Sequence, residues 1–370
     1  MSSLIPFTYQ PTSHSMSIKK TSIALALIIF VFGCSSNQQT MEDRPVGFER
    51  IVNVADQFDT LAINHSLLES FGLVANEKYL FSITHKSNPV VKVFDNKTGE
   101  YHGGFGTIGG GPGEFERVSL SGFSRIGANV VASSLKKIRI YDVSLNNGNL
   151  VTSVIQEASI PGELFPFNFP FFLNDSTVAG KKDSSPKYFT SFSTSSGVIS
   201  DYWEYPNWTP EIPETAYHHL YQSHTQMHPN GNKIVGAFSN FPILRIMEVG
   251  SGKSEDFRIT PENEQKEIKV AANGRSIDSF ALYKYFENLK VNENFILGQY
   301  VESEIVKGKA GDNQWVRSVL TEPCILIFNW EGQPILKLKT DEWMTRYTIT
   351  PDNRVIFFHP EEKDELYVID

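Results

Sequence analysis

Four of the nine histidines fall within eleven residues, at His218, His219, His224 and His228. Neutral imidazole suits zinc and other transition metals, and two histidines four apart can share an ion when a helix carries them. Here Gln226 and Met227 read as the start of a strand. In a strand, residues four apart stand about 13 Å from each other. No nearby cysteine or carboxylate completes a ligand set, so no metal and no other cofactor is assigned. The same stretch, Tyr205–His224, also holds Trp208, Tyr217 and Tyr221, with Trp203 just ahead of it. Upstream, Phe165, Phe167 and Phe169 alternate, and alternate strand positions share a face. Aromatic anchors of this kind recur at binding hot spots. Phe167, Trp203, Trp208, Tyr217, His218, His219, Tyr221 and His224 are therefore the candidate ligand-binding residues, a platform for sugar rings or a peptide.

Reactive constellations are missing. The sequence has no GxSxG, no HExxH and no Cys–His pair at a recognised spacing, so no catalytic residue is assigned. One glycine-rich stretch, Gly104-Phe-Gly106-Thr-Ile-Gly109, has the spacing of a dinucleotide fingerprint. That fingerprint needs a helix opening at the glycines, whose N–H groups and dipole meet a pyrophosphate. Pro112 and a further strand follow instead, which reads as a crossing between two sheets.

The elements that must position these residues are short strands. Six hairpins recur, each an apolar run, a tight turn with Asn, Asp or Gly, and a second apolar run: Leu73–Ser82, Gly122–Ser133, Phe171–Gly180, Gln226–Phe238, Asn288–Gln299 and Tyr347–His359. Their turns lie 47 to 62 residues apart, a spacing that reads as a repeat architecture. A third strand follows each hairpin: Val90–Asp95, Lys137–Asp142, Lys187–Ser193, Ile243–Val249, Cys324–Trp330 and Glu365–Asp370. In five units a glycine turn then leads to a fourth strand. The sixth unit lacks one. Phe48–Val54 alternates apolar and polar residues and is predicted to pair beside Glu365–Asp370. Four-stranded units repeated around an axis are propeller blades. The predicted fold is all-β, a six-bladed β-propeller over residues 48–370 whose last blade is closed by an N-terminal strand.

Loop lengths are one-sided. Turns from strand one to two and from three to four are short, and share one face of the ring. The other links carry the insertions Gly106–Ser119, Glu157–Pro170, Tyr205–His224, Thr260–Tyr285 and Val301–Pro323. Long loops on one side of a rigid scaffold are where binding and catalysis concentrate. Within Thr260–Tyr285, Pro261 at a first helical position suggests a short surface helix over Glu264–Ile268. Residues 276–286 read as a second short helix or the entry to the next blade.

The stretch Gly111-Pro112-Gly113-Glu114-Phe115 after the first blade, with the six-blade pattern, resembles the TolB-like six-bladed propeller lipoproteins of Bacteroidetes. More distantly it looks like NHL-repeat propellers. The resemblance spans about residues 48–370 and implies fold and envelope location, with no settled activity. Some propellers of similar design are calcium-dependent lactonases or esterases, in which Glu, Asn and Asp converge on the central channel. Glu114, Asn168 and Asn240 are the loop-face residues that such a hydrolase would use here. The reading preferred over it is a binding or scaffold module.

The chain has 370 residues and a formal net charge of −9. Lys19 and Lys20 precede an apolar stretch from Ile23 to Phe32, too short to span a bilayer. Val31-Phe32-Gly33-Cys34 resembles a bacterial lipobox, so residues 1–33 read as a lipoprotein signal peptide, with Met16 an alternative start. Cys34 would be acylated. Residues 34–47 read as a flexible tether, and Ser35 resembles an outer-membrane sorting signal. The leader carries two lysines and no acids, which leaves 31 basic against 42 acidic side chains. An acidic surface argues against nucleic acid. The expected partners are a membrane, through the lipid, and a peptide, glycan or envelope protein. In a lipoprotein-processing bacterial host, Cys34→Ser is expected to abolish metabolic labelling by palmitate and release the chain from the membrane fraction.

Overall fold

The structure is a computed structural model. It describes residues 45–370 apart from 55–56, 68–69, 85, 112–113, 116–118, 121–129, 135, 184, 279–281, 308–314, 342–343, 345 and 359–364. The six hairpins and their following strands form six sheets around an axis, a six-bladed β-propeller. Blade one comprises Gly72–Ala75, Tyr79–Ile83, Val91–Asp95 and Tyr101–Phe105. Blade two comprises Ser119–Leu120, Val130–Ser133, Lys137–Asn146 and Asn149–Ser159. Its predicted first strand falls largely on 121–129, outside the described residues. Blade three comprises Phe167–Asn174, Thr177–Lys182, Phe189–Ser193 and Ile199–Tyr202. Blade four comprises Ser223–Met227, Lys233–Phe238, Ile243–Glu248 and Ser254–Ile259.

Turn chemistry explains the regularity. In the hairpin of blade one, the Asn76 side-chain oxygen accepts the N–H groups of Lys78 and Tyr79 at 2.9 and 2.7 Å. Asn292 does the same in blade five for Asn294 and Phe295, at 2.9 and 2.8 Å. The turn from third to fourth strand repeats one geometry, with Gly99, Gly148, Gly197, Gly252 and Gly332 all at φ between 70° and 80°. Side chains disfavour that left-handed region, so glycine recurs at this point of each blade.

Each pair of neighbouring blades encloses its own hydrophobic cluster, and six such clusters run round the ring. The cluster between blades three and four is the most aromatic, built on Phe171, Tyr188, Phe189, Tyr221, Phe238 and Phe241. The cluster of Leu73, Leu80, Ile356 and Leu366 joins blade six back to blade one.

Closure differs from the predicted strand. Blade six comprises Tyr347–Ile349, Val355–Phe358 and Glu365–Ile369, and Asp59–Ala62 completes it. The register is antiparallel, with Leu61 opposite Leu366 and Ala62 opposite Glu365. Phe58 sits edge-on to Phe357 and Tyr367, with ring centroids 5.9 and 5.5 Å apart. The expected segment instead runs along the rim. Ile51–Asn53 pairs parallel to Lys337–Lys339 at the edge of blade five, where Phe48 lies edge-on to Phe328 at 5.3 Å. Pro45–Val46 pairs parallel to Arg258–Ile259 at the edge of blade four. Pairing thus begins inside the stretch read as a tether. The segment straps two consecutive blade edges, those of blades four and five, before closing the ring in blade six.

Two insertions also differ. Blade five comprises Tyr283–Val291, Phe295–Lys307, Cys324–Asn329 and Pro334–Lys339. Its second strand overruns the sheet and pairs with Trp315–Val319, so the Val301–Pro323 insertion is a projecting ribbon rather than a loop. Blade two likewise extends outward, and its outermost strand exposes Val151, Val154 and Ile155. No helix forms over Glu264–Ile268. Specific side chains hold that segment extended. The carboxylate of the fully buried Glu302 accepts the backbone N–H groups of Glu262 and Asn263 at 2.7 Å, the Asn263 amide at 2.8 Å and the Tyr300 hydroxyl at 2.9 Å. Gln265 donates to the carbonyls of Asn240 and Tyr283 at 2.7 and 3.2 Å. These bonds satisfy backbone groups that a local helix would otherwise have to pair. Glu302→Ala leaves them without an acceptor. It is expected to cost about 3 kcal/mol in urea unfolding, with faster amide exchange over 260–270 than in blades one and two.

Candidate functional site

The link from blade three to blade four builds the site. Trp203 starts it at φ 54°, a left-handed turn that takes the chain off the outermost strand. Trp208 then docks on blade four. Its indole N–H donates to Asp256 at 2.9 Å, and its ring lies 5.2 Å from the Arg245 guanidinium. Arg245 holds Asp256 with two bonds, at 2.6 and 2.8 Å. A 3-10 turn, Glu214–Ala216, leads into the one-turn helix Tyr217–Leu220. Ala216 and Leu220 are buried, which leaves His218 and His219 on the outer side. The buried Asn240 side chain donates to the carbonyls of His219 and Leu220 at 3.1 and 2.8 Å, satisfying the helix end, and accepts from the Lys284 ammonium.

Between this link and the starts of blades three and four lies a cavity of about 400 Å³. It opens on the face that carries the long links. One wall is aromatic: Tyr205 stacks on Tyr221 with centroids 5.7 Å apart and meets Tyr188 edge-on at 5.7 Å. Burial pushes the Tyr188 and Tyr221 phenols up to about 12 and raises Tyr205 as well, so all three are neutral donors near pH 7. The rim is polar, with Asn168, Lys182, Asp183, His218, His219 and Gln222. The Asn168 amide donates to Asp183 at 3.1 Å.

The floor is cationic. Lys181, near the end of the second strand of blade three, crosses to blade four and donates to the Ser223 carbonyl at 3.0 Å and to its hydroxyl. The Tyr188 hydroxyl shares a hydrogen bond with the same Ser223 oxygen. Gly236 makes room for that phenol, since a Cβ there would stand 2.8 Å from it. Burial pulls the Lys181 ammonium down to about 7 and Lys290, on the innermost strand of blade five, to about 8. His224 lies lower still, at about 4, through burial and then the positive charges of Lys181 and Lys290. Lys290 donates across the ring to the Leu73 carbonyl at 2.8 Å. Burial likewise lowers Lys284.

Of the predicted site residues, His218, His219, Tyr221 and His224 line the cavity. Tyr217 stands behind them, packed on Tyr205 and Tyr221. Trp203 packs edge-on to Phe189 and Tyr202, and Trp208 is the docking ring described above. Phe167 is buried between blades two and three, against Phe192. The alternating Phe165–Phe167–Phe169 face does not form. A register shift between Asn168 and Phe171, with Phe169 at φ 51°, turns Phe169 out to the cavity mouth. Lys181, Tyr188, Tyr205 and Ser223 were not foreseen. Cys34, Pro112 and Gly113 lie outside the described residues. In the same stretch the Glu114 carboxylate accepts the Gly111 N–H at 2.7 Å, and Phe115 is buried under the Arg139 guanidinium.

His228 sits at the far end of its strand from His224, beside Trp330 on the short-turn face. The hydrolase candidates Glu114, Asn168 and Asn240 each hold a local bond, to Gly111, to Asp183, and to the helix end respectively. Among the described residues, no three His, Cys, Asp or Glu side chains gather closely enough to hold a metal ion.

No family model and no curated protein matches this sequence. Solved structures do. A member of the DUF4221 family from Bacteroides vulgatus aligns over 84% of this chain and 96% of its own, with a TM-score of 0.57 and 9% identity. A protein of Bacteroides fragilis described as exported aligns over 86% and 98%, with a TM-score of 0.51 and 13% identity. At such identities the likeness is one of fold.

The low position of His224 has a pH signature. The unfolded chain protonates this imidazole near 6.5 and the folded chain only near 4. Between those values the unfolded state binds more protons, so stability is lost as pH falls from about 6.5 to about 4. Urea unfolding of His224→Gln is expected to show a shallower loss over that window than the wild type. Equal slopes would mean that this histidine is not desolvated.

Proposed function

We propose that this chain is an envelope binding module, lipid-anchored through Cys34, that takes a small polar ligand with a ring or flat face in the cavity between blades three and four. The end of a glycan or of a peptide has that chemistry. One observation carries the reading: a cavity of about 400 Å³ on the long-link face with an aromatic wall and a ring of amide, imidazole and ammonium donors. Ligand sites are concave, partly aromatic and equipped with a few convergent polar groups. The apolar leader stretch behind Lys19 and Lys20 and the lipobox-like Cys34 support the envelope placement, as does the likeness in fold to a Bacteroides fragilis protein described as exported. The outer membrane is the membrane proposed, with the long-link face turned to glycans, peptides or an envelope protein. No described helix is long and apolar enough to cross a membrane.

Phe169 and His219 are exposed at the cavity mouth, so their replacement leaves the core untouched. In a thermal-shift screen of glycan fragments and short peptides, one ligand class is expected to raise the melting temperature. The double variant Phe169→Ala, His219→Ala is expected to bind that class at least tenfold more weakly, with its own melting point within the small range of surface changes. A ligand bound equally by both proteins would place recognition elsewhere.

A further inference from the structure

We infer that the cavity between blades three and four selects a carboxylate-bearing sugar, a uronic acid or an oligosaccharide ending in one, whose acid group sits on the Lys181 ammonium. This rests on the binding reading above and names its ligand class. The cavity holds Lys181 and Lys182 with three histidines, and among the described residues Asp183 is its one lining acid. Asp183 is already engaged by Asn168. The whole chain carries −9, so this concentration of cationic and donor groups runs against the average of the surface. Lys181 spends two of its three N–H donors on Ser223, and among the described residues no carboxylate is paired with it. An ammonium held this way has only a carbonyl, a hydroxyl and the Tyr188 ring face at 4.8 Å to offset its desolvation, and no counter-charge until an anion arrives. The sugar body fits the remainder. The Tyr205 and Tyr221 faces and the exposed Phe169 ring offer apolar surface to a ring, and Gln222, Ser239 and Asn168 offer partners to hydroxyls.

Protonation gives the site a distinctive dependence on pH. Free Lys181 titrates at about 7, and a bound carboxylate raises that value. Affinity for the acid sugar is therefore full below about pH 7 and falls above it, by up to tenfold per unit, until the bound value is reached. The other groups facing Lys181 act outside this window or in the same sense. His224 across from it titrates at about 4, and His218 on the helix is held below its ordinary value by burial. The Tyr188 and Tyr221 phenols lie near 12. Lys290 behind His224, at about 8, loses its charge in the same direction. Lys182 and His219 face the rim, with Asp183 beside them.

The test is titration calorimetry of the full chain in mild detergent, with D-galacturonate, its methyl glycoside dimer, and D-galactose as the neutral control, at pH 6, 7 and 8.5. The acid sugars are expected to bind at least tenfold more tightly than galactose at pH 6 and to lose at least tenfold in affinity by pH 8.5, while galactose stays level. Lys181→Met is expected to bring the acid sugars to the affinity of galactose. Since that lysine also bridges two blades, its variant is judged beside its own melting curve, and the wild-type pH profile stands independently of it. Equal, pH-independent binding of acid and neutral sugars overturns the carboxylate assignment but keeps the cavity as a sugar site. Binding of none of them, at any pH, overturns the carboxylate assignment, and the binding reading then depends on the broader screen alone.

Discussion

A ring of blades closes only if its last blade is completed and packed against its first, and here that requirement falls on four residues. Asp59–Ala62 pairs with Val368–Glu365 across about 300 residues of chain. Apart from the N-terminal strap on blades four and five, the other interfaces among the described residues join consecutive blades and are local in sequence by comparison. The cluster of Leu73, Ile356 and Leu366, by contrast, exists only when the two chain ends meet. The entropy of closing such a long loop grows slowly with length, by about 0.6 kcal/mol per doubling. The backbone pairing of Asp59–Ala62, Phe58 against Phe357 and Tyr367, and the cluster of blades six and one together oppose that modest cost. The cavity between blades three and four depends on this too, because its width is set by the angle between blades and that angle by their number.

Most of the fold was legible because its signals are local. Asn at hairpin tips and Gly at the third turn act through their own backbone, so the strands they bound could be read one unit at a time. The closing strand was misread because alternation alone does not name a partner. Phe48–Val54 alternates as well as any edge strand, yet the place it packs is decided by Phe328 in blade five, nearly 280 residues away. The absent helix near Glu264 has the same origin. Local propensity favoured it, and that preference is outbid by the buried Glu302 of blade five and by Gln265 of the segment itself, whose amide bonds to Asn240 and Tyr283.

The site divides in the same way. His218, His219, Tyr221 and His224 come from one link, and their density in the sequence located it. Lys181 and Tyr188 lie 42 and 35 residues from Ser223 and meet it only because strand ends of adjacent blades converge. Nothing in a lysine at the end of one strand marks it as the floor of a cavity. Trp208 and Phe167 show the converse. An aromatic ring reads alike whether it faces a ligand or packs a core, and the indole bonded to Asp256 and the ring against Phe192 do the second.

The outer edges of the blades are not equal. The N-terminal strap covers those of blades four and five, and the outer strands of blades three and six have only four residues each. Blade one ends in Tyr101–Phe105, interrupted by two glycines. Blade two alone presents eleven residues, Asn149–Ser159, with Val151, Val154 and Ile155 in water. Unpaired strand edges with apolar side chains are templates for further strands. Two places on the circumference therefore carry a template for a further strand: the outer edge of blade two, and the ribbon strand Trp315–Val319 of blade five, where Trp315 and Val316 are also exposed. Where many copies crowd together, these are the edges that can meet, and at blade two the charge at Glu157 is what the fold sets against it.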